Sequence, residues 1–593
     1  MALPRIVALM VAAATISMAV GRVHESAKFD LALETWAKHP TTPSVRTLIR
    51  VRPGTARQVA ERLAWGSNAD GFEVAPDLLV AELSPGGLRA ASFDGAVTNI
   101  SLDARVQSFA TSSANLSQND LIQTEALLST PYTGANVGVA VIDSGFLPSA
   151  DLGNVTASYT FTSGKAVKQG PKDAFGHGTH VSGLIGSTGS TSSGQYRGVA
   201  PGSRFIVLRA LDDTGSGYTS NVIAALNFAI ANRKTFGIDI INMSLGHPIY
   251  EPAGSDPLVA AVQAAVDAGI VVVVSAGNFG GDPATHVSGY GGITSPANSP
   301  GAITVGALDT HQTPSRSDDE VAWYSSRGPT WYDGFQKPDI VAPGSHLVSD
   351  VPSSCAIASK YPGGLIKTSG TCKLTKLSGT SMAAGVVSGV VSLMLEANRK
   401  NHPGGTLTPN AVKAILEYTA FPVGSSDPLT QGAGALNAAG AVTLAAAIDA
   451  TQPAGAWWLA TPITSSTVVA DESLAWGQHL VWGEHLVWGN QVYTNDPAWG
   501  QHLVWGDHLV WGDAVLGSNT VWDDGSPAIW GSHLVWGENL IGEINGSNVT
   551  WGSLSSNVKP DHLVWGDLKS LMIAPTSQSW SNLEMANGDL IAK

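Results

Sequence analysis

Apolar positions along the chain fall into two regimes. Between 46 and 103, Arg46-Thr-Leu-Ile-Arg-Val51 and Leu78-Leu-Val-Ala-Glu-Leu83 predict strands. Pro53-Gly54 breaks the first, and Thr55–Trp65 sets Val59, Ala60 and Leu63 on one side, as an amphipathic helix requires. A second helical stretch opens at Pro85, and Val97-Thr-Asn-Ile100 closes a small α+β unit. From 131 to 450 the strands are instead continuous apolar runs: Val137–Ile142, Phe205–Leu208, Ile238–Met243, Ile270–Val274 and Ile303–Val305. Helical spacing separates them over Thr219–Arg233 and Pro257–Ala268. Continuous runs predict a parallel sheet covered by helices on both faces. In such sheets, sites gather beyond the carboxyl ends of strands. Asp143, Ser244 and Asn278 each follow a predicted strand end.

The flanks differ from this core. Arg5 precedes an apolar run from Ile6 to Val20, and cleavage after Ala19 or Gly21 fits an export signal. Residues 104–130, rich in Ser, Thr, Asn and Gln, predict a polar linker. Beyond 471 the pattern is repetitive: His-Leu-Val-Trp-Gly occurs six times, and Ala475–Pro497 and Ala498–Thr520 form two 23-residue units with a shared opening. Short strands and tight turns suit such repeats, which can build a core by stacking. The expected partition is signal 1–21, leader 22–45, small domain 46–103, linker 104–130, core 131–450, linker 451–470 and repeats 471–593.

Charge narrows the partners. The net charge of −15 argues against nucleic acid and anionic membrane surfaces. Residues 471–593 hold fourteen acids against three lysines and no arginine, so most of the acidity sits in the repeats. The two cysteines, Cys355 and Cys372, predict a disulfide in an exported chain, with two buried thiols as the alternative.

The chemistry is carried by four segments in order. Val-Ile-Asp143-Ser-Gly, Gly-His177-Gly-Thr-His180 and Gly379-Thr-Ser381-Met-Ala supply an acid, a base and a nucleophile. Ser275-Ala-Gly-Asn278 supplies an amide able to stabilise an oxyanion. Ser381 opens a small-residue helix, whose free N–H groups and positive dipole end favour developing negative charge. His177 opens another; His180, three residues on, reads as structural.

These stretches, with Asn242-Met-Ser-Leu-Gly246, Tyr324-Ser-Ser-Arg-Gly-Pro329 and Lys337-Pro-Asp-Ile-Val-Ala-Pro-Gly344, resemble the subtilase family of serine peptidases over residues 131–450. The resemblance implies a subtilisin-like parallel sheet flanked by helices and an endopeptidase acting through an acyl-enzyme on Ser381. It implies that Asp143 orients His177 and that Asn278 is the side-chain oxyanion donor. Ser244, Leu245 and Gly246 would pair with the substrate strand, and Gly246 with Ser275, Ala276 and Gly277 would wall the pocket before the scissile bond. The unit at 46–103 resembles the inhibitory propeptide, so the expected product is a secreted, self-processing zymogen acting on proteins or peptides. No cofactor is implied for the chemistry. Structural calcium is common in the family, but no acidic cluster marks its ligands here.

The segment between Gly344 and Gly379 is longer than in compact members and carries both cysteines, which places an inserted loop near the site. The repeats leave three readings. They are a packed β-region, an aromatic surface for polysaccharide or cell-surface contact, or a histidine ladder for metal; the first is preferred. An adhesive protein dominated by its tail, with an auxiliary protease core, is the competing function, and a catalytically dead scaffold the weaker one.

Overall fold

A computed structural model describes residues 28–66, 72–109, 111–112, 130–281, 288–313, 315–366, 372–451, 463–469 and 472–476, with two short strands at Leu583–Ala586 and Asp589–Ala592. The signal, most of the polar linker and nearly all of the repeats lie outside the described residues.

The N-terminal unit is an antiparallel sheet in the order Phe72–Ala75, Leu78–Leu83, Val45–Val51, Val97–Leu102. Side chains alternate across a strand, and both faces are used. Ile49, Leu79, Ala81, Leu83 and Ile100 pack against the helices Ala56–Gly66 and Pro85–Phe93. Leu48, Leu78 and Val80 point the other way, into a core shared with Ile223 and Leu226 of the following domain. That explains why Leu78–Leu83 reads as apolar without alternation. Helix Leu31–Lys38, capped by Asp30, packs Leu33 into the same unit, so the expected leader at 22–45 is partly integral to it.

The large domain has a nine-stranded sheet whose central strands, Ile303–Asp309, Val271–Ser275, Ile240–Met243, Gly138–Asp143, Arg204–Arg209 and Val155–Thr160, run parallel in that order. Helices Thr219–Ala231 and Pro257–Asp267 cover one face. Helices His177–Gly186 and Thr380–Asn401 cover the other. Thr380–Asn401 is long and apolar enough to cross a membrane, but its apolar window is wholly buried inside the domain.

The core does not stop at 450. A hairpin, Ser466–Val469 with Glu472–Ala475, leads to Trp476, which is 4% exposed. Its ring meets Tyr418 edge-on at 6.0 Å, and its Nε1 donates to Thr467 Oγ1 at 2.8 Å. The first Trp-Gly of the repeat region is thus a core residue of the large domain. In the Ser381→Ala background, which prevents autolysis, Trp476→Ala should cost about 3–5 kcal/mol. Thermal unfolding checks this: truncation after Gly477 should leave the midpoint unchanged, and truncation after Asp471 should lower it. Equal midpoints would mean that the ring contributes nothing.

The disulfide expected between Cys355 and Cys372 involves a side chain outside the described residues, and only its first half can be followed. Cys355 is a free, buried thiol, and burial pushes it up to about 11. It caps the short helix Ala356–Lys360, its Sγ accepting from Ala358 N at 3.3 Å. The thiol turns in against the backbone before His177, where a Cβ on Gly176 would lie 2.5 Å from Sγ. The Cys372 side chain lies outside the described residues.

Candidate active site

Ser381 is the second residue of the Thr380–Asn401 helix, with its side chain buried. Its Oγ donates to Ser244 O at 3.2 Å, and Ser244 Oγ donates back to Ser381 O at 3.0 Å. The strand end at Ser244 and the helix start at Ser381 are thereby locked together.

His177 begins the His177–Gly186 helix, and Asp143 ends the Gly138–Asp143 strand. His177 Nδ1 lies 2.8 and 2.9 Å from the two Asp143 carboxylate oxygens, with both side chains fully buried. Such a contact fixes the ring tautomer and turns Nε2 outward from the acid. Nε2 is buried and has no hydrogen-bond partner among the described residues. No hydrogen bond joins it to Ser381, so the structure brings acid and base together but leaves the base–nucleophile link open. His180 is structural, as its position suggested: Nε2 contacts Thr375 O at 3.1 Å, and burial pushes the ring down to about 3.

Asn278 follows the Val271–Ser275 strand. Its Oδ1 accepts from Thr380 N and from Thr380 Oγ1, both at 3.0 Å. The amide is thus anchored through its oxygen beside the helix that carries Ser381, and its nitrogen is left to donate elsewhere.

The polar segment expected as a linker begins as a strand across this site. Arg105–Ser108 pairs antiparallel on one side with Leu245–Pro248, placing Ser108 opposite Leu245 and Gln107 opposite Gly246. On the other side it pairs with Ser216–Tyr218. Phe109 N then donates to Ser381 Oγ at 3.2 Å. Phe109 is 5% exposed, and its ring meets Phe279 edge-on with centroids 6.0 Å apart. A Cβ on Gly246 would come 3.2 Å from that ring, so glycine at 246 makes the room. Ser275, Ala276 and Gly277 lead into Asn278; Ser275 and Ala276 are fully buried, and Gly277 N donates to Thr380 Oγ1 at 3.2 Å. Sequence reasoning found the Ser244–Gly246 edge but missed the facing edge at Ser216–Tyr218, and it missed Phe109 and Phe279. The glycines at 215 and 217 were the available signal for the second edge.

The N-terminal unit is fastened beyond this strand. Asp103 accepts from Ser220 N and Ser220 Oγ, both at 2.8 Å, and so caps the Thr219–Ala231 helix from outside. Arg46 pairs with Asp103 and stacks over Tyr218 and Phe72.

Among the described residues no three His, Cys, Asp or Glu side chains form a group able to hold a metal ion. Asp151, a buried carboxylate beside the 187–194 loop, is occupied by Ser190 Oγ at 2.6 Å and Thr191 N at 2.8 Å. The calcium expectation therefore gains no ligand set from side chains of these types, and the tail histidines and tryptophans named for metal or surface contact lie outside the described residues.

The fold is that of the subtilisin-type serine peptidases. The chain belongs to the subtilase family, whose profile matches residues 134–442. It is 41% identical over 318 residues to the serine protease AprX of Bacillus subtilis (strain 168), covering 52% of this chain and 67% of that one. It is 37% identical over 305 residues to a subtilisin of Bacillus pumilus, covering 51% of this chain and 91% of the relative. Fervidolysin from Fervidobacterium pennivorans, a keratinolytic enzyme related to subtilisin, superposes with a TM-score of 0.52 at 22% identity, over 72% of this chain and 62% of its own. It shares the fold.

Proposed function

We propose that this protein is a secreted serine endopeptidase, made as a zymogen that cuts its own chain after Phe109. The observation that carries this reading is the Arg105–Phe109 segment, which lies as a third strand between two edges of the large domain and brings Phe109 N to 3.2 Å from Ser381 Oγ. The apolar leader Ile6–Val20 supports export.

The chemistry follows from the geometry. Ser381 Oγ leaves the Ser244 carbonyl and gives its proton to His177 Nε2, whose other nitrogen is held by Asp143. Oγ attacks the Phe109 carbonyl carbon. The oxyanion that forms is met by Ser381 N–H at the helix start and by the Asn278 amide nitrogen. His177 returns the proton to the departing Ala110 nitrogen, the peptide bond breaks, and water then releases the acyl group from Oγ. The freed unit, residues 28–109, remains seated as an inhibitor until it dissociates. Later substrates add the same strand between Ser216–Tyr218 and Ser244–Gly246, by main-chain pairing that tolerates many sequences. Expression of the full chain beside Ser381→Ala, with N-terminal sequencing, tests the reading: a mature chain starting at Ala110 supports it. A mature chain starting near Val20 or Arg22 in active enzyme overturns it.

Release of the unit should depend on pH. Asp30 of the N-terminal unit and Glu251 and Asp256 of the large domain are buried at the junction, near Tyr250, Tyr332 and His247. Glu251 accepts from Asn99 of the unit at 3.0 Å. Burial, with the neighbouring carboxylates, pushes Asp30 up to about 7 and Glu251 up to about 8. Neither forms an ion pair with Lys or Arg among the described residues. Both groups hold protons when docked and lose them readily once solvated. Their contribution to docking is therefore complete below the ordinary carboxylate range, near 4. It weakens as pH rises toward 7–8, on the order of tenfold per pH unit per proton taken up. The lag before peptide hydrolysis, scaled to the steady rate, should be shorter at pH 8.5 than at pH 6, and Glu251→Gln should flatten the difference. A lag independent of pH would refute the linkage.

A further inference from the structure

The loop before His177 holds a carboxylate that the reaction does not use. Asp173 is 4% exposed and makes no ion pair among the described residues. Its Oδ1 accepts from Ser144 Oγ at 2.9 Å and from Gly176 N at 2.8 Å. Its Oδ2 accepts from Thr179 N at 2.8 Å and Thr179 Oγ1 at 2.7 Å. One side chain thus gathers four donors from two elements, the residue after Asp143 and the first turn carrying His177.

The surrounding contacts close the same joint. Ser144 N donates to Asp143 Oδ1 at 2.6 Å, and Gly178 N donates to Ser144 Oγ at 3.0 Å. A Cβ on Gly178 would lie 2.2 Å from Gly145 O, so the helix start and the strand end touch backbone to backbone. Gly176 adopts φ +104°, a left-handed conformation open to glycine, and this turn aims its N–H at Asp173. A carboxylate at the positive end of a helix is also electrostatically favoured.

We propose that Asp173 is a positioning residue: through Ser144 on one side and Gly176 and Thr179 on the other, it sets the distance and angle at which Asp143 meets His177. Removing it loosens the joint between the two elements, and the Asp143–His177 contact loses its fixed geometry. Misplacement of about 1 Å in a reacting array costs on the order of 100-fold in rate. The substrate strand pairs with Ser216–Tyr218 and Ser244–Gly246, which Asp173 does not touch, so binding is spared.

The inference rests on the Asp143–His177–Ser381 reading, and the experiment separates the two. The full chain, allowed to process, is assayed on a synthetic peptide as wild type, Ser381→Ala, Asp173→Asn and Ser144→Ala. Asp173→Asn keeps the volume and one acceptor oxygen. Ser144→Ala cuts the link to the acid, together with the Gly178 N contact, and leaves the Asp173 contacts to Gly176 and Thr179 in place. The expected result is a fall in kcat of about 100-fold for Asp173→Asn and about 10-fold for Ser144→Ala, with KM within about twofold. The low-field proton resonance of His177 Nδ1–H should shift or broaden, and the acidic limb of the kcat/KM profile should move to lower pH as the imidazolium loses its partner. A residue that merely capped the helix would lower the melting temperature and leave these readouts alone. Should Asp173→Asn not fold, Ser144→Ala carries the test by itself. Folded variants with unchanged kcat and an unmoved resonance would overturn the proposal. Full activity in Ser381→Ala would instead overturn the triad reading beneath it.

Discussion

Ser381→Ala should lose peptide cleavage by a factor on the order of 10⁶, as expected when a triad acting as a unit loses its nucleophile. The substitution removes one oxygen from a buried helix start, and among the described residues the Ser381 side chain makes two hydrogen bonds, to Ser244 O and from Phe109 N. The fold should therefore survive, and the chain should accumulate as an uncut precursor. His177→Ala should fall nearly as far, because an isolated serine hydroxyl is a poor nucleophile at neutral pH. Asn278→Ala should retain more, losing about 10²–10³-fold in kcat with little change in KM, since its amide acts on charge that develops only in the transition state. Purified Ser381→Ala that still processed itself, free of host proteases, would end the assignment.

Phe109→Asp should stop self-processing at the Phe109–Ala110 bond, slowing it by roughly 10²–10³-fold. The substitution forfeits about 2–3 kcal/mol of apolar burial and asks a carboxylate to desolvate in a site lined by Phe279 and Gly246. Phe109→Tyr should process at close to the original rate. The same pocket should make the mature enzyme prefer large apolar or aromatic residues before the scissile bond. Phe279→Ala should reduce the preference for Phe by roughly 2- to 12-fold, the range of an edge-to-face pair. Time courses by mass spectrometry, followed by N-terminal sequencing, read both results. Cleavage of Phe109→Asp at the same bond and rate would mean that Phe109 does not occupy the specificity pocket.

How far the chain disclosed itself depended on whether the signal was local. Strand Gly138–Asp143 is flanked by strands on both sides and covered on both faces, so six consecutive residues had to be buried and the run was visible. The helix at Thr380–Asn401 packs closely in the core, which demands small residues and leaves an Ala- and Gly-rich signature. Asp143, His177, Asn278 and Ser381 sit at element termini beside such signatures, so their order and context were readable.

Other features were hidden because they depend on partners distant in sequence. Arg105–Ser108 becomes a strand by main-chain pairing with two edges more than a hundred residues away, and main-chain pairing needs no particular side chains. Its polar composition therefore suggested a linker. Trp476 could not be told from later Trp-Gly units, because its burial depends on Tyr418 and Thr467 standing where they do. That Cys355 turns inward to cap its own short helix was likewise not legible, because the cap depends on how the insertion folds back. Periodicity and terminal motifs are local, so the core strands and helices, the order of the reactive groups and the family resemblance could be read from the chain alone. Only tertiary structure decided which strand fills the cleft, where the core ends and what holds Asp143 against His177, because those outcomes follow from backbone groups meeting across the fold.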